Sequence, residues 1–400
     1  MRKNMIIWTG ILFLLEFYAY QAFKTICIEK WQRITYWIFT IVPYLAVAYL
    51  FLNFNRSENN SLKINIIATI FLAFFLPKIL VVLFLLIEDL IRLFSFIFSY
   101  LTTKDTTYPS RRKFISLLGL GTAGTLALVF LDGVFFGKFR HHVRKVKIKI
   151  NPLPTSFKGY KIVQISDVHA GSFQDPSKLQ HAIDLINEQN PDLVLFTGDM
   201  VNNLSSEFLP FIPLFSQIKS KDGKLAVLGN HDYGSYFYKD KKDQIKNVDE
   251  LIVNMAKAGF ETLRNEHKVI SRNNEELYII GVENWGLPPF PQYGDLDKAT
   301  KNLPISSPKI LMSHDPTHFD EIVKNHPSNI HLTLSGHTHG MQFGLDLKNI
   351  KWSPVQYRYP KFMDLYESNG KYLYVNRGFG VIGYPGRVGV NPEITLFELQ

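Results

Sequence analysis

Lys161-Ile162-Val163-Gln164-Ile165-Ser166-Asp167-Val168-His169-Ala170-Gly171 is the stretch on which the rest of the chain turns. A short run rich in Ile and Val, closed by a polar loop, reads as a buried β-strand. Its C-terminal end delivers a carboxylate, Asp167, and an imidazole, His169, into the loop beyond a sheet. Open α/β sheets bind ligands at that edge. The expectation is an α/β domain whose chemistry collects where its strands end.

The same rhythm recurs downstream. Asp175-Pro176-Ser177 reads as a helix start, with Leu179, Ala182, Ile183 and Ile186 at helical spacing and Asn190-Pro191 as the stop. Leu193-Val194-Leu195-Phe196 follows and ends in Thr197-Gly198-Asp199. Such a strand–helix–strand unit implies a parallel pair with a right-handed crossover. Leu225-Ala226-Val227-Leu228 then ends in Gly229-Asn230-His231-Asp232, and a helix is expected over 248–258, closed by Gly259. Ile310-Leu311-Met312 ends in Ser313-His314-Asp315, and the run 330–334 ends in Ser335-Gly336-His337-Thr338-His339-Gly340.

Upstream the texture differs. Apolar runs cover 6–23, 34–52, 64–87 and 115–136. Each approaches the roughly 20 residues that cross a bilayer. A cluster of such runs joined by short polar links reads as a membrane domain rather than as core helices. Glu16, Pro77 and Lys78 interrupt the runs, and Glu88, Asp89 and Arg92 follow the third, so 91–101 is expected to lie along the interface. Ser110-Arg111-Arg112-Lys113-Phe114 resembles a twin-arginine export signal. Such signals normally open a chain, and ordinary positive flanking of a helix explains the residues equally well.

The chain of 400 residues therefore divides into a membrane domain at 1–137 with about four helices, a basic juxtamembrane linker at 138–157, and an α/β domain at 158–400. A net charge of +9 could indicate nucleic acid or an anionic membrane. Lys138, Arg140, Arg144, Lys145, Lys147 and Lys149 directly follow the last apolar run, which favours lipid headgroups. The lone cysteine, Cys27, excludes an intrachain disulfide.

The strand-end clusters contain Asp167, His169, Asp199, Asn230, His231, His314, His337 and His339. Asp, Asn and His donors without Cys suit Mn, Fe or Zn. The set is too large for one ion and suits two divalent metal ions sharing a carboxylate. Such a pair can hold a hydroxide and polarise a phosphoryl group. Taken singly the motifs are weak: Asp-x-His arises by chance, Gly-Asp is an ordinary turn, and a lone His after a strand is usually just a satisfied polar residue. Gly336-His337-Thr338-His339-Gly340 is the strongest, because both imidazoles share one loop. All of them following an apolar run is what gives them weight.

Together, Asp167-x-His169, Gly198-Asp199, Gly229-Asn230-His231-Asp232, His314 and Gly336-His337-x-His339 resemble the calcineurin-like metallophosphoesterases. Tyr374-Val375-Asn376-Arg377-Gly378, Pro385-Gly386-Arg387 and Pro392-Glu393-Ile394-Thr395 resemble its membrane-associated YkuE/YaeI-like branch. The resemblance covers about 158–400. It departs at Met341, where the branch often has Gly, and at Asn284, where it often has Asp. It implies a four-layer α/β/β/α metallophosphoesterase sandwich, here preceded by an all-α transmembrane region. It also implies roles. Asp167, His169 and His339 would hold one metal, Asn230, His314 and His337 the other, with Asp199 bridging. His231 would be catalytic, donating a proton to the leaving oxygen, with Asp232 orienting it. Arg377 and Arg387 are candidates for a second phosphate or a headgroup, or else structural arginines. The remaining histidines, His141, His142, His181, His267, His318, His326 and His331, receive no role.

The expected activity is hydrolysis of a phosphoester (phosphodiester or pyrophosphate, with lipid-linked substrates among the candidates) by a multi-pass membrane enzyme in contact with lipids. A non-catalytic sensor or scaffold on the same fold is the rival, and it would have no use for His231. A nuclease is disfavoured by the anchor and by the absence of a basic, aromatic-laced groove, so no nucleic acid is expected. Lys24, Lys30, Arg33, Lys104, Arg111, Arg112 and Lys113 fall in links on one side of the runs, against Arg2, Lys3, Arg56 and Lys63 on the other. That asymmetry places the catalytic domain outside the cytoplasm, with the basic stretch 138–149 counting against it.

Overall fold

The computed structural model describes residues 2–55, 60–102, 109–348 and 350–400, in two compact units that meet at Val134 and Phe135. The first unit is helical: α1 (Arg2–Ile26), α2 (Lys30–Leu52), α3 (Ser61–Ile70), a π-turn at Phe71–Phe75, α4 (Leu76–Thr102) and α5 (Pro109–Phe135). Ala19 and Ala22 of α1, Val81 and Leu85 of α4 and Ala123 of α5 form its buried seam. Small residues there let the backbones approach closely.

Where sequence predicts about four crossings, three helices among the described residues are long and apolar enough for one: Lys30–Leu52, Ser61–Leu101 and Arg111–Phe139. The middle one corrects the expectation for 91–101, which continues the same helix instead of forming a separate interfacial segment. Pro77 does not break it, because the π-turn just before supplies the slack that a missing N–H and a bulky ring require. Glu88, buried in the helical unit, does not end it either. Glu88 pairs with Arg92 at 3.0 Å and with Arg112 at 3.0 Å, and Arg112 also holds Asp89 at 2.6 Å. Arg111 lies 3.7 Å from the same Glu88, so the Arg111-Arg112 pair is engaged in ion pairs of the helical unit.

The second unit contains two mixed sheets and a separate hairpin. In chain order the strands are β1 (His142–Ile148), β2 (Lys161–Ile165), β3 (Leu193–Phe196), β4 (Lys224–Ala226), β5 (Phe260–Thr262), β6 (Glu266–Arg272), β7 (Glu275–Gly281), β8 (Lys309–Met312), β9 (Leu332–Ser335), β10 (Leu345–Leu347), β11 (Ile350–Trp352), β12 (Asp364–Ser368), β13 (Lys371–Val375) and β14 (Glu393–Leu399). One sheet runs β1-β14-β2-β3-β4-β5 and the other β12-β13-β9-β8-β7-β6. Strands β2, β3 and β4 are mutually parallel, as are β7, β8, β9 and β13, so their C-terminal ends share an edge within each sheet.

Strand alternation builds the layers. Ile162, Leu193, Leu195 and Leu225 meet Ile279, Ile310, Met312 and Leu334 between the sheets. Val163, Ile165, Val194 and Phe196 face the other way, onto the helices Gln180–Glu188 and Lys241–Lys257. Ile280, Leu311 and Leu373 bury the far face of the second sheet under Leu296 and Phe319. The result is the four-layer sandwich. Gln164 turns into the inter-sheet layer and bonds Thr197 Oγ1 and the Ser335 carbonyl, each at 3.0 Å. That buried amide ties the sheets together beneath their strand ends. The Lys241–Lys257 helix begins earlier than predicted, because Asp240 caps it by accepting from the Lys242 N–H. His331 lies just before β9 rather than within a strand, and its Nδ1 accepts from the Lys309 N–H.

Candidate metal centre

Two groups of ligand-type side chains converge at the strand ends: Asp167, His169 and His339, and Asp199, His314 and His337. Asn230 joins the second, its Oδ1 lying 2.9 Å from His337 Nδ1. Between the groups stands Asp199. Its Oδ2 lies 3.5 Å from His169 Nε2 and 3.1 Å from His314 Nε2, one imidazole from each group. Asp167 lies 3.2 Å from His339 Nε2. The geometry thus brings together all seven residues expected to hold metal.

Local backbone makes this convergence. Asp167, His169, Asp199, His337 and His339 all have left-handed φ, between 48° and 70°. Each such non-glycine residue costs on the order of 1–3 kcal/mol and persists where surrounding structure enforces it. Met341, one of the two departures from the branch pattern, is left-handed as well, at φ 54°. Two motif glycines are required by space. A Cβ on Gly229 would lie 2.2 Å from Asp199 Oδ1, and one on Gly336 would lie 2.1 Å from Asp167 Oδ2.

Electrostatics favours a cation. Burial would raise Asp199, but His314 and His231 facing it hold it well below the usual carboxylate range. Asp167 is held down in the same way, by His339 and His314 against the effect of burial. Burial would depress His314, but Asp199 raises it to about 10. Burial pushes His169, His337 and His339 down, leaving neutral imidazoles with lone pairs beside ionised carboxylates. His169 and His339 face each other through Nε2 atoms 3.0 Å apart, and His314 Nε2 lacks an aligned hydrogen-bond partner among the described residues. Buried nitrogen and oxygen donors, without a thiolate and with His314 able to yield its Nε2 proton, fit hard or borderline divalent ions.

The supporting contacts orient each ligand. His314 Nδ1 donates to the Thr197 carbonyl at 2.7 Å, leaving Nε2 for the site. His337 presents Nδ1 to the site, while its Nε2 meets Tyr359 Oη at 2.8 Å and Asp315 at 3.4 Å. Thr197 and Asp315 adjoin motif residues and were within reach of a sequence reading. Tyr359 has no such signal.

One expectation is corrected, and one open alternative is decided. Asp232 does not orient His231. It accepts backbone N–H groups from Asp199, Met200, Val201 and Gly229, and so fastens two motif loops together. The Asn202 carbonyl orients His231 instead, accepting from Nδ1 at 2.8 Å and leaving Nε2 free of that bond. Arg377 and Arg387 are buried, with donors directed into the protein. Arg377 pairs with Glu393 and Asp364, each at 2.7 Å. Arg387 donates to the carbonyls of Arg377, Gly378, His339 and Gly380, bracing the loop under His339. They act as structural arginines.

Known proteins resemble this chain over both units. Residues 160–341 match the family described as "Calcineurin-like phosphoesterase", and residues 1–138 match "Probable Calcineurin-like phosphoesterase, transmembrane domain". The chain is similar to the "Uncharacterized metallophosphoesterase YkuE" of Bacillus subtilis, 32% identical over 73% of this chain and 98% of that protein. It is 29% identical to "Phosphodiesterase YaeI" of Escherichia coli, over 72% of this chain and 99% of the relative. Against the "Transmembrane protein with metallophosphoesterase domain" of Danio rerio it is 31% identical, over 64% of this chain and 56% of that longer protein.

Proposed function

We propose that this chain, which belongs to the calcineurin-like metallophosphoesterase family, is a membrane-anchored hydrolase that cleaves a phosphodiester or pyrophosphate at a binuclear centre. The observation that carries the reading is Asp199, with one oxygen set between an imidazole of each donor group. Asp167, His169 and His339 would hold one cation, Asn230, His314 and His337 the other, and Asp199 both. Manganese, iron or zinc fit these donors. When bound, the cations supply Lewis acidity at the phosphoryl group and allow water to act as nucleophile near neutral pH.

The chain's own residues do the rest. Asn202 fixes the His231 ring through Nδ1, so a protonated His231 offers Nε2–H to the departing oxygen. Tyr236 packs at a tilt against that ring, 4.7 Å between centroids, and accepts from Asn230 Nδ2, which orients the amide so that its oxygen faces His337. The relative's name, a phosphodiesterase, supports a diester, and the transmembrane domain supports a substrate carried in the bilayer. The test is hydrolysis by the full-length protein in vesicles, across soluble diesters, monoesters and lipid-linked pyrophosphates, with each metal in turn. Metal-dependent cleavage of a diester or pyrophosphate is expected. Inactivity on every phosphoester under every metal would overturn the reading.

The catalytic unit is proposed to lie outside the cytoplasm, on the Lys and Arg asymmetry of the links. With Cys27→Ser as background, cysteines at the exposed Lys178 and Lys113 would be exposed to an impermeant reagent in intact cells. Labelling at 178 with protection at 113 is expected, and the opposite pattern would reverse the topology.

A further inference from the structure

The hairpin β10–β11 is built inside out. Its register pairs Leu345 with Trp352, Asp346 with Lys351, and Leu347 with Ile350. Side chains alternate along a strand, so Leu345, Leu347, Ile350 and Trp352 share one face, while Asp346 and Lys351 share the other. In a hairpin packed on a domain, the apolar face normally turns inward. Here Asp346 turns inward, while Lys351 stays exposed. Asp346 takes an ion pair from Arg377 at 3.1 Å and another from Arg144, and Lys351 pairs with Asp364. The apolar face is turned out, with Leu345, Leu347 and Ile350 exposed by 48%, 57% and 56%.

Charge identifies the occupant. Arg144 fastens the hairpin to β1, an edge strand. Residues 138–149 contain six Lys or Arg and no Asp or Glu, and Lys145, Lys147 and Lys149 are exposed. Only residues 136–141 separate the end of α5 from the start of β1. An exposed apolar face, on a unit whose edge strand also carries the exposed Lys145 and Lys147 and which follows a helix apolar enough to cross a membrane, matches anionic headgroups over acyl chains. Trp352 at the edge of the face suits the interfacial layer.

We propose that the β10–β11 hairpin seats the catalytic unit on the bilayer, its apolar face dipping into an anionic lipid surface. Because the hairpin begins six residues after His339, this seating would hold the His337–His339 loop close to the surface where a lipid-borne substrate travels. The seating itself does not depend on catalysis, so its test stands apart from that of the reaction.

The test uses the full-length protein with Cys27→Ser and a single Leu347→Cys carrying an environment-sensitive nitrobenzoxadiazole label. A second preparation carries the same label at Ile305→Cys, also on an exposed apolar residue. Both are reconstituted in phosphatidylcholine–phosphatidylglycerol vesicles, with and without lipids spin-labelled high on the acyl chain. The label at 347 is expected to emit to the blue of the label at 305 and to be quenched several-fold more strongly by the spin-labelled lipid. A water-like emission at 347, equal to that at 305, would overturn the proposal. So would a blue shift without lipid quenching, which would mean that protein, a second copy or another partner, covers the face.

Discussion

Buried acids occur in both units, and they are treated in opposite ways. In the helical unit Glu16 is 3% exposed, and every oxygen is spent. Lys78 reaches its oxygens at 2.7 and 2.9 Å, Tyr44 donates at 3.0 Å and Tyr36 at 3.4 Å. The cluster ties α1, α2 and α4 together and leaves nothing for a ligand. In the catalytic unit Asp167 and Asp199 face imidazoles whose nitrogens crowd one another, on backbone bent into left-handed conformations. A self-satisfied cluster holds a structure; a crowded one with spare lone pairs awaits a cation. The same residue types thus mean different chemistry according to whether their partners are already present.

This contrast can be broken experimentally at several points. The largest effect is expected at His231. Its replacement by Asn should keep metal content and lower the rate by roughly 10²–10⁴-fold on substrates with poor leaving groups, because a general acid is removed. The loss should shrink on nitrophenyl esters, which leave without protonation. Equal losses on both would show that His231 has another task.

Next in size is the helical cluster. Glu16→Gln or Lys78→Met alone should destabilise the helical unit by about 3–5 kcal/mol, since each strands a buried charge, whereas the double replacement should cost far less. Denaturant unfolding in lipid or detergent would read this. Additive losses would mean that the pair is not the closed unit described.

The smallest effect concerns protons. In the metal-free centre Asp199 raises His314 to about 10, above its ordinary 6.5. The sign follows from linkage: this pairing stabilises the metal-free fold fully below pH 6.5, and the contribution is lost as pH rises through about 10. A cation must displace that proton, so metal affinity should climb with pH across the same window. Calorimetry in buffers of different ionisation enthalpy should detect proton release on metal binding. Affinity independent of pH in that range would contradict the His314–Asp199 pairing.

Much of the centre was legible because its motifs are contiguous and each follows an apolar strand. Asp167-x-His169 and Gly336-His337-x-His339 carry their own spacing and their own glycine. What was not legible depends on contacts made across the fold. Nothing in Gly229-Asn230-His231-Asp232 reveals that Asp232 accepts four backbone N–H groups while a distant carbonyl, that of Asn202, steers His231. Whether Arg377 and Arg387 bind an anion or brace the fold stayed open because sequence does not display burial. The third apolar helix was cut short at Glu88 because two of the arginines that neutralise it come from α5. The hairpin's alternation of Leu345, Asp346 and Leu347 was readable as a strand, but which face points outward is set by Arg144 and Arg377.

If Asp199 joins two metal sites into one centre, metal stoichiometry will show it. Elemental analysis of the purified full-length protein should find about two divalent ions per chain, as a binuclear hydrolase requires. Asp199→Ala should lose both, while His314→Ala should mainly weaken one. An Asp199→Ala protein that keeps its full complement of metal and its activity would contradict the account.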